Sequence, residues 1–340
     1  MLLRHEPQLA TPAAPSALRR PDARRNRARR PGAGGPDCAG RAAQQVLDAV
    51  VVGAGPAGLS AALVLGRARR RVLVLDTEQP ANAVSNGIGG LLTQVGVAPA
   101  DLRRTGRQQL AEYPGVEVRR GAVLDAEATA EGFAIRLEGG RPVRSRTVVL
   151  AHGLRYDPPP LPGIEGLWGS SVFHCPFCDG WEVRDRPVAV HGNGPAAAKS
   201  ALLVSAWTRD VLLCTDGPAN LNGERRALVE AGVAIREEPI RELVGDDGRL
   251  REIRFTSGPA APREGLFIRT NREQPNGLAE ALGCDLTEAG TIVADGDGRT
   301  RVPGVFAAGD AATEHSRSVA NAMGTGSRVG YAATLDLVGG

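Results

Sequence analysis

The junction between an apolar run, Leu47–Val52 (LDAVVV), and the glycine-rich turn after it constrains the fold more than any other feature of the 340 residues. Short Val-rich runs are typical of buried parallel strands, whereas 59–67 has the apolar spacing of a helix. A second apolar run, 71–75, ends at Asp76. Strand, glycine turn, helix and strand in this order predict a βαβ unit and an α/β fold.

The turn itself, Gly53-Ala-Gly55-Pro-Ala-Gly58, matches the dinucleotide fingerprint GxGxxG. In that pattern the first glycine allows a tight turn and the second lets the backbone approach a pyrophosphate. The third lets the helix pack on the strand, and Asp76 stands where a carboxylate accepts hydrogen bonds from a ribose. We therefore expect Gly53, Gly55, Gly58 and Asp76 to bind a dinucleotide.

A second unit of the same kind begins with the strand Pro187–Val190. Its turn contains Gly192 and Gly194, a helix is expected at Ala198–Trp207, and the next strand leads to Asp216. A carboxylate at Asp216 suits an unphosphorylated ribose and repels a 2′-phosphate. The sequence leaves open whether Gly192, Gly194 and Asp216 bind NAD(P)H or belong to a unit that has kept the fold alone.

The domain of the first unit is predicted to be split in sequence. The proline-rich stretch 158–162 is a linker candidate, because proline fits neither a helix interior nor a central strand. Far along the chain, the strand Val305–Ala308 leads into Gly309-Asp310 and a closing helix, 318–337. We predict a dinucleotide domain formed by 46–157 and 293–340, with an inserted NAD(P)-type domain at 158–292.

The motif Cys175-Pro-Phe-Cys178 lies between the two units and is followed by Asp179. A zinc site is disfavoured because there is no second CxxC to complete a ligand set, although His174 and His191 stand near in sequence. Inert thiols are the other alternative. A redox pair is favoured, with Asp179 as a carboxylate that exchanges a proton with a departing thiolate.

Composition excludes several function classes. Residues 1–45 hold nine arginines and three acids, so the remainder of a chain with net charge +3 is mildly acidic, and we expect no nucleic-acid partner. No apolar run reaches the length of a membrane span. Five cysteines do not form a secreted disulfide framework, so we expect a cytoplasmic protein. Residues 1–45 are predicted to be a disordered extension, with an organelle transit peptide as the alternative.

Four motifs in this order resemble the low-molecular-weight thioredoxin reductases and their relatives: VVGAGPAGLSAA, CPFCDG, the second glycine turn, and VPGVFAAGD. The resemblance extends over 46–337. It implies a homodimer of two Rossmann-like nucleotide-binding domains, in which an FAD domain is interrupted by an inserted NAD(P)-type domain that carries the CxxC.

The resemblance also implies roles for individual residues. Gly53, Gly55, Gly58 and Asp76 would hold the ADP part of FAD. Gly309 and Asp310 would lie at its ribityl or phosphate region, and the start of the last helix, at Ser318, Val319 and Ala320, would face the flavin pyrimidine. Cys178 would face the flavin, Cys175 would exchange with the substrate, and Asp179 would act as acid and base.

Three departures from the reductase pattern bear on function. The basic NADPH cluster expected after the second unit is replaced by Leu213-Cys-Thr-Asp-Gly217. Arg317-Ser318 occupies the place of the Arg-Gln pair that usually leads into the last helix. Ala151-His152-Gly153 occupies the place of the Ala-Thr-Gly that usually closes the first FAD segment. With CPFCDGWE, the first departure makes the chain similar to the dithiol oxidases of gliotoxin and holomycin type, many of which have His at the position of Asp179.

Three functional hypotheses follow. The favoured one is an FAD-dependent oxidase that converts a small-molecule dithiol into a disulfide through Cys175 and Cys178, with O2 as acceptor. The second is an NAD(P)H-dependent reductase of a thioredoxin-like protein, and the third is a non-catalytic flavin-binding redox sensor. Four further residues are candidates for the site. His174 would lower the pKa of Cys175 by positive charge, and His315 would lie near the flavin. Trp168 and Trp181 would line a substrate pocket.

Overall fold

The computed structural model describes residues 46–221 and 223–339; the predicted disordered extension, 1–45, lies outside them. The helices are α1 (Pro56–Arg67), α2 (Pro99–Leu110), α3 (Pro176–Asp179), α4 (Pro195–Val204), α5 (Glu224–Glu230), α6 (Leu278–Ala281) and α7 (Val319–Gly339), with a 3₁₀ turn at Gly309–Ala312.

The strands of the first half are β1 (Leu47–Val52), β2 (Val72–Asp76), β3 (Val116–Arg120), β4 (Val123–Thr129), β5 (Gly132–Leu137), β6 (Val143–Leu150), β7 (Arg155–Asp157), β8 (Val172–Phe173) and β9 (Val188–His191). Those of the second half are β10 (Val211–Cys214), β11 (Ala234–Arg236), β12 (Ile240–Asp246), β13 (Arg249–Phe255), β14 (Ala261–Pro262), β15 (Gly265–Ile268), β16 (Asn271–Glu273) and β17 (Val305–Ala307).

The first sheet has seven strands in the order β3-β2-β1-β6-β5-β4, and β17 also pairs with β6. Strands β3, β2, β1, β6 and β17 run parallel, whereas β5 is antiparallel to both β6 and β4. The side chains of β1 and β2 are buried on both faces, as the Val-rich sequence predicts. The strand that follows residue 304 thus joins the sheet of the first βαβ unit.

The second sheet is fully parallel and has five strands in the order β11-β10-β9-β15-β8. Its strand β8 leads directly into Cys175. A three-stranded antiparallel sheet, β12-β13-β14, accompanies it, and β7 pairs with β16 as a separate two-stranded ribbon. The five parallel strands of the mixed first sheet and the fully parallel second sheet agree with the predicted fold class of two Rossmann-like domains.

The helix of the second βαβ unit, α4, has different bounds from those predicted. It was expected at Ala198–Trp207, but α4 begins at Pro195 and ends at Val204. Proline suits the first helical position because its missing N–H needs no partner there. After Val204 the chain turns, and the Trp207 ring packs so closely on Gly180 that a Cβ at Gly180 would lie 2.8 Å from it.

Two helices at the first sheet approach each other with backbone contact. A Cβ at Gly326 of α7 would collide with the Ala57 carbonyl of α1, and one at Gly330 would lie 2.7 Å from the Ala61 carbonyl. This approach fixes α7, and with it the start of that helix, against the first glycine turn. Among residues 46–221 and 223–339, no helix has both the length and the apolar character to cross a membrane.

Replacing Gly326 by Ala should therefore destabilise the protein by about 1–3 kcal/mol through overpacking. The matched control is Gly324→Ala in the same helix, where an added Cβ meets no atom within 4 Å. That change should stabilise the helix by about 0.5–1 kcal/mol, because alanine loses less backbone entropy than glycine. Denaturant unfolding measures both, and equal effects of the two substitutions would contradict the helix contact.

Candidate active site

The first glycine turn has two tightly packed glycines and one open one. A Cβ at Gly53 would collide with the Ala151 carbonyl, and a Cβ at Gly58 would collide with the Gly53 carbonyl. At Gly55 a Cβ would meet no atom within 4 Å among the described residues. The helix that follows has Pro56 in its first turn and no side-chain cap. This open cradle at a helix N-terminus fits a pyrophosphate.

Asp76 ends β2 beside this turn and is nearly buried. One carboxylate oxygen accepts a hydrogen bond from the Ala54 N–H at 3.3 Å, and the other forms a short ion pair with Arg107 of α2. Arg107 also lies 3.4 Å from Glu78. The predicted ribose ligand is therefore present at the right end of the strand, but it already has a cationic partner that sequence reasoning missed.

Asp310 is brought to the same region by Gly309. A Cβ at Gly309 would lie 2.9 Å from the Ala57 Cβ, and the Gly309 N–H donates to the Thr325 hydroxyl of α7 at 3.0 Å. The Tyr156 hydroxyl donates to Asp310 at 2.8 Å. Burial raises the pKa of the Asp310 carboxyl, although the hydrogen bond from Tyr156 opposes this shift.

The last helix begins next to Asp310. Ser318 precedes α7, and its hydroxyl accepts a hydrogen bond from the Asn321 N–H at 3.2 Å. Ser318 and Ala320 are exposed and Val319 is half-buried. The structure thus brings the glycine turn, Asp310 and the start of α7 to one edge of the first sheet, although these segments are far apart in sequence.

Cys175 and Cys178 form a disulfide at the start of the single-turn helix α3. The Cys178 N–H donates to the Cys175 sulfur at 3.2 Å. The backbone of Gly89 lies directly against the Cys178 carbonyl, where a Cβ would collide. Phe177 and Trp181 are 74% and 66% exposed, so both flank the disulfide as open apolar surface and neither is core.

Asp179 follows the disulfide and is half-buried. Burial, together with the negative charge of Glu182, raises the pKa of the Asp179 carboxyl to about 7. A carboxyl with that pKa exists in both protonation states near neutral pH, which suits a group that both donates and accepts protons.

His174, next to Cys175, stacks between two aromatic rings. Its ring centroid is 4.8 Å from that of Tyr156 and 5.7 Å from that of Trp168. Desolvation, followed by the positive charge of Arg272, lowers the pKa of His174 and disfavours its protonated form. The neighbouring cation therefore opposes the positive charge predicted for His174.

The other cysteines of the described ranges are not part of this site. Cys214 and Cys284 are buried free thiols, and burial raises the pKa of Cys214 to about 12. No group of three or more His, Cys, Asp and Glu side chains among residues 46–221 and 223–339 is arranged to hold a metal ion. His315 lines a cavity of about 300 Å³ with Asp295 and Thr325, and the Thr325 hydroxyl also accepts the Gly309 N–H.

The second glycine turn is closed by its own side chains. The Asn193 carbonyl oxygen accepts hydrogen bonds from the N–H groups of Gly194 at 2.9 Å and Asn220 at 2.8 Å. Its amide nitrogen donates to the carbonyls of Thr215 and Pro218. Asn193 thereby ties the segment 215–220 across the turn.

Asp216, the predicted ribose ligand of that turn, is also engaged. It accepts a hydrogen bond from the Ile240 N–H at 2.7 Å and lies 3.6 Å from His191. Gly192 and Gly194 have positive φ values of 146° and 79°, as a tight turn requires. The backbone of the turn thus has the glycine geometry of a dinucleotide site, while Asn193 and Asp216 are both engaged in hydrogen bonds within the protein.

Comparison with known proteins identifies the family. The model of the pyridine nucleotide-disulphide oxidoreductases matches residues 47–326. The chain belongs to this family. It is 31% identical over 305 residues to thioredoxin reductase tcpT of Claviceps purpurea, covering 86% of this chain and 95% of the relative. The protein is thus a flavin-dependent disulfide oxidoreductase of the thioredoxin reductase type.

Solved structures agree with this assignment. A putative thioredoxin reductase from Bacillus anthracis superimposes with a TM-score of 0.82 at 32% identity, covering 86% of this chain and 99% of that one. HlmI superimposes with a TM-score of 0.82 at 39% identity, covering 86% and 93%. The resemblance inferred from the four motifs is confirmed.

Replacing Gly55 by Ala should reduce FAD affinity by at least about tenfold, or about 1.4 kcal/mol, because the methyl group enters the open cradle. Folding should be unaffected, since that Cβ meets no protein atom within 4 Å. The control is Gly223→Ala, another position where the Cβ is free. Flavin absorbance after gel filtration gives the occupancy, and full retention of FAD in Gly55→Ala would contradict the assignment.

The raised pKa of Asp179 predicts a pH-dependent thiol–disulfide exchange. The protonated carboxyl, present below about pH 7, donates to the departing Cys178 thiolate and is lost as pH rises. The rate of exchange with dithiothreitol, normalised to its thiolate concentration, should fall above pH 7. In Asp179→Asn the rate should be about a hundredfold lower and flat in this range. A wild-type exchange rate that rises through pH 7 after normalisation to the thiolate concentration would contradict the role of Asp179 as proton donor.

Proposed function

We propose that this chain is an FAD-dependent dithiol oxidase, which converts a small-molecule dithiol into a disulfide with O2 as the final acceptor. The observation that carries the proposal is the contrast between the two glycine turns. The first turn is open at Gly55, whereas the second is closed by Asn193 and the segment 215–220. Electrons therefore enter from a dithiol and not from a nicotinamide.

The proposed FAD site consists of Gly53, Gly55 and Gly58 at the pyrophosphate, Asp76 with Arg107 at the ribose, and Asp310 and Ser318–Ala320 nearer the flavin ring. When bound there, FAD would supply a two-electron acceptor for the reduced cysteine pair, with O2 as the final oxidant and peroxide as its product. Tyr156 holds the Asp310 carboxylate in place through its hydroxyl.

The protein side chains carry out the thiol chemistry. A substrate thiolate attacks the Cys175 sulfur, and the bond to Cys178 breaks. Asp179 donates its proton to the Cys178 thiolate. The second substrate thiol loses its proton, attacks the substrate sulfur of the mixed disulfide, and releases Cys175. The substrate has then lost two electrons and two protons, and both cysteines are reduced.

The second candidate is an NAD(P)H-dependent disulfide reductase. It is favoured by the names of relatives such as thioredoxin reductase tcpT and by the glycine backbone of the second turn. For this function the segment 215–220 would have to leave Asn193, with loss of three hydrogen bonds.

A homodimer is part of the proposal. Tyr331, Leu335 and Val338 of α7 are all more than half exposed and follow the spacing of one helix face. An apolar stripe of this kind is suited to burial against a second copy. Light scattering should give twice the chain mass, and a monomer at micromolar concentration would exclude this arrangement.

Oxygen consumption tests the proposed reaction. With dithiothreitol as a generic small dithiol, the purified protein should consume O2 and form H2O2 and oxidised dithiothreitol in equal amounts. Cys178→Ser should abolish turnover, whereas Cys284→Ser, at a buried thiol outside the site, should retain it. Turnover that survives in Cys178→Ser would refute the disulfide mechanism, and O2 consumption driven by NADPH alone would favour the reductase.

A further inference from the structure

Arg272 is a cationic residue near the disulfide that has no part in the proposed thiol chemistry. In the ribbon of β7 and β16, Arg272 is directly opposite Tyr156. Opposite residues of an antiparallel pair project from the same face with Cβ atoms about 5 Å apart. Tyr156 in turn stacks on His174, the residue before Cys175. Arg272 therefore lies on the Cys175 side of the disulfide.

The charge of Arg272 is not neutralised locally. The acids of the same ribbon, Asp157 and Glu273, both bind Arg155. Among the described residues, Arg272 has no ion-pair partner within 4 Å. A second guanidinium, that of Arg317, adds to this cluster, and its Nε is buried without a hydrogen-bond partner.

The surrounding acids do not cancel this charge. Asp310 faces both arginines, but it is a single acid against two guanidinium groups and it already accepts the Tyr156 hydroxyl. Glu314 acts on Arg317. Asp179 and Glu182 belong to the segment after Cys178. The two sulfur atoms of the disulfide thus have surroundings of opposite character, cationic towards Cys175 and acidic towards Cys178.

We propose that Arg272, supported by Arg317, is a specificity-determining residue that draws anionic dithiols to Cys175. This inference rests on the proposed dithiol oxidase. The attacking group is a thiolate, and a positive potential raises its concentration at the sulfur it must reach. A dithiol that also carries a carboxylate gains further attraction, so the substrate class is acidic small dithiols.

The potential at Cys175 can be measured without any turnover. The reduced protein is alkylated with iodoacetate, which is anionic, or with iodoacetamide, which is neutral, and labelling of Cys175 is quantified by peptide mass spectrometry. Arg272→Glu should lower the iodoacetate-to-iodoacetamide rate ratio roughly fivefold, and Arg272→Gln roughly twofold.

The control is Arg141→Glu, which makes the same charge change in the exposed turn between β5 and β6. It should leave the alkylation ratio at the wild-type value. Ratios in both Arg272 variants that equal the Arg141→Glu value would overturn the proposal.

Substrate preference is tested with the matched pair dihydrolipoate and dihydrolipoamide, which differ in one negative charge. The wild type should oxidise dihydrolipoate with a kcat/KM two- to threefold higher, and this preference should vanish in Arg272→Gln and in high salt. A preference for dihydrolipoamide would overturn the inference. If neither dithiol is oxidised, the proposed function fails, while the alkylation ratio still decides whether Arg272 sets the charge at Cys175.

Discussion

The position of the disulfide depends on a backbone contact between Gly89 and the Cys178 carbonyl, which only a residue without a Cβ can make. This contact brings the CxxC to a loop of the chain that continues the first βαβ unit. The contact between the rings of Tyr156 and His174 is a second point at which the CxxC segment meets another part of the chain. Because Tyr156 also binds Asp310, the redox pair and the proposed flavin site are connected by direct contacts.

The proposed direction of electron flow rests on what covers each glycine turn. At the first turn the space above Gly55 is free, so a pyrophosphate can approach the helix N-terminus. At the second, Asn193 takes up the Gly194 N–H and holds the segment 215–220 in place. Two turns of nearly the same sequence pattern thus differ in ligand access because of one asparagine side chain and the loop that it binds.

Local sequence patterns predicted much of this structure, but they could not predict contacts between residues that are far apart in sequence. The strand Leu47–Val52 was predicted with its observed bounds, because a buried parallel strand has a distinctive Val-rich pattern. The CxxC was favoured as a redox pair because its spacing, the lack of a second CxxC and the adjacent Asp179 all pointed the same way. The Arg107–Asp76 ion pair and the Tyr156–Asp310 hydrogen bond join residues 31 and 154 positions apart, which no local pattern encodes. The closure by Asn193 had a weak signal, an amide side chain between two turn glycines.

Anaerobic titration of the purified flavoprotein tests most directly whether electrons come from a dithiol through the CxxC. The flavin absorbance near 450 nm is followed while NADH, NADPH or a small dithiol is added without oxygen. We predict that the dithiol bleaches the flavin with one equivalent per flavin beyond the disulfide, and that neither nicotinamide does so. Rapid bleaching by NADH or NADPH, or a protein that takes up no flavin, would contradict this assignment.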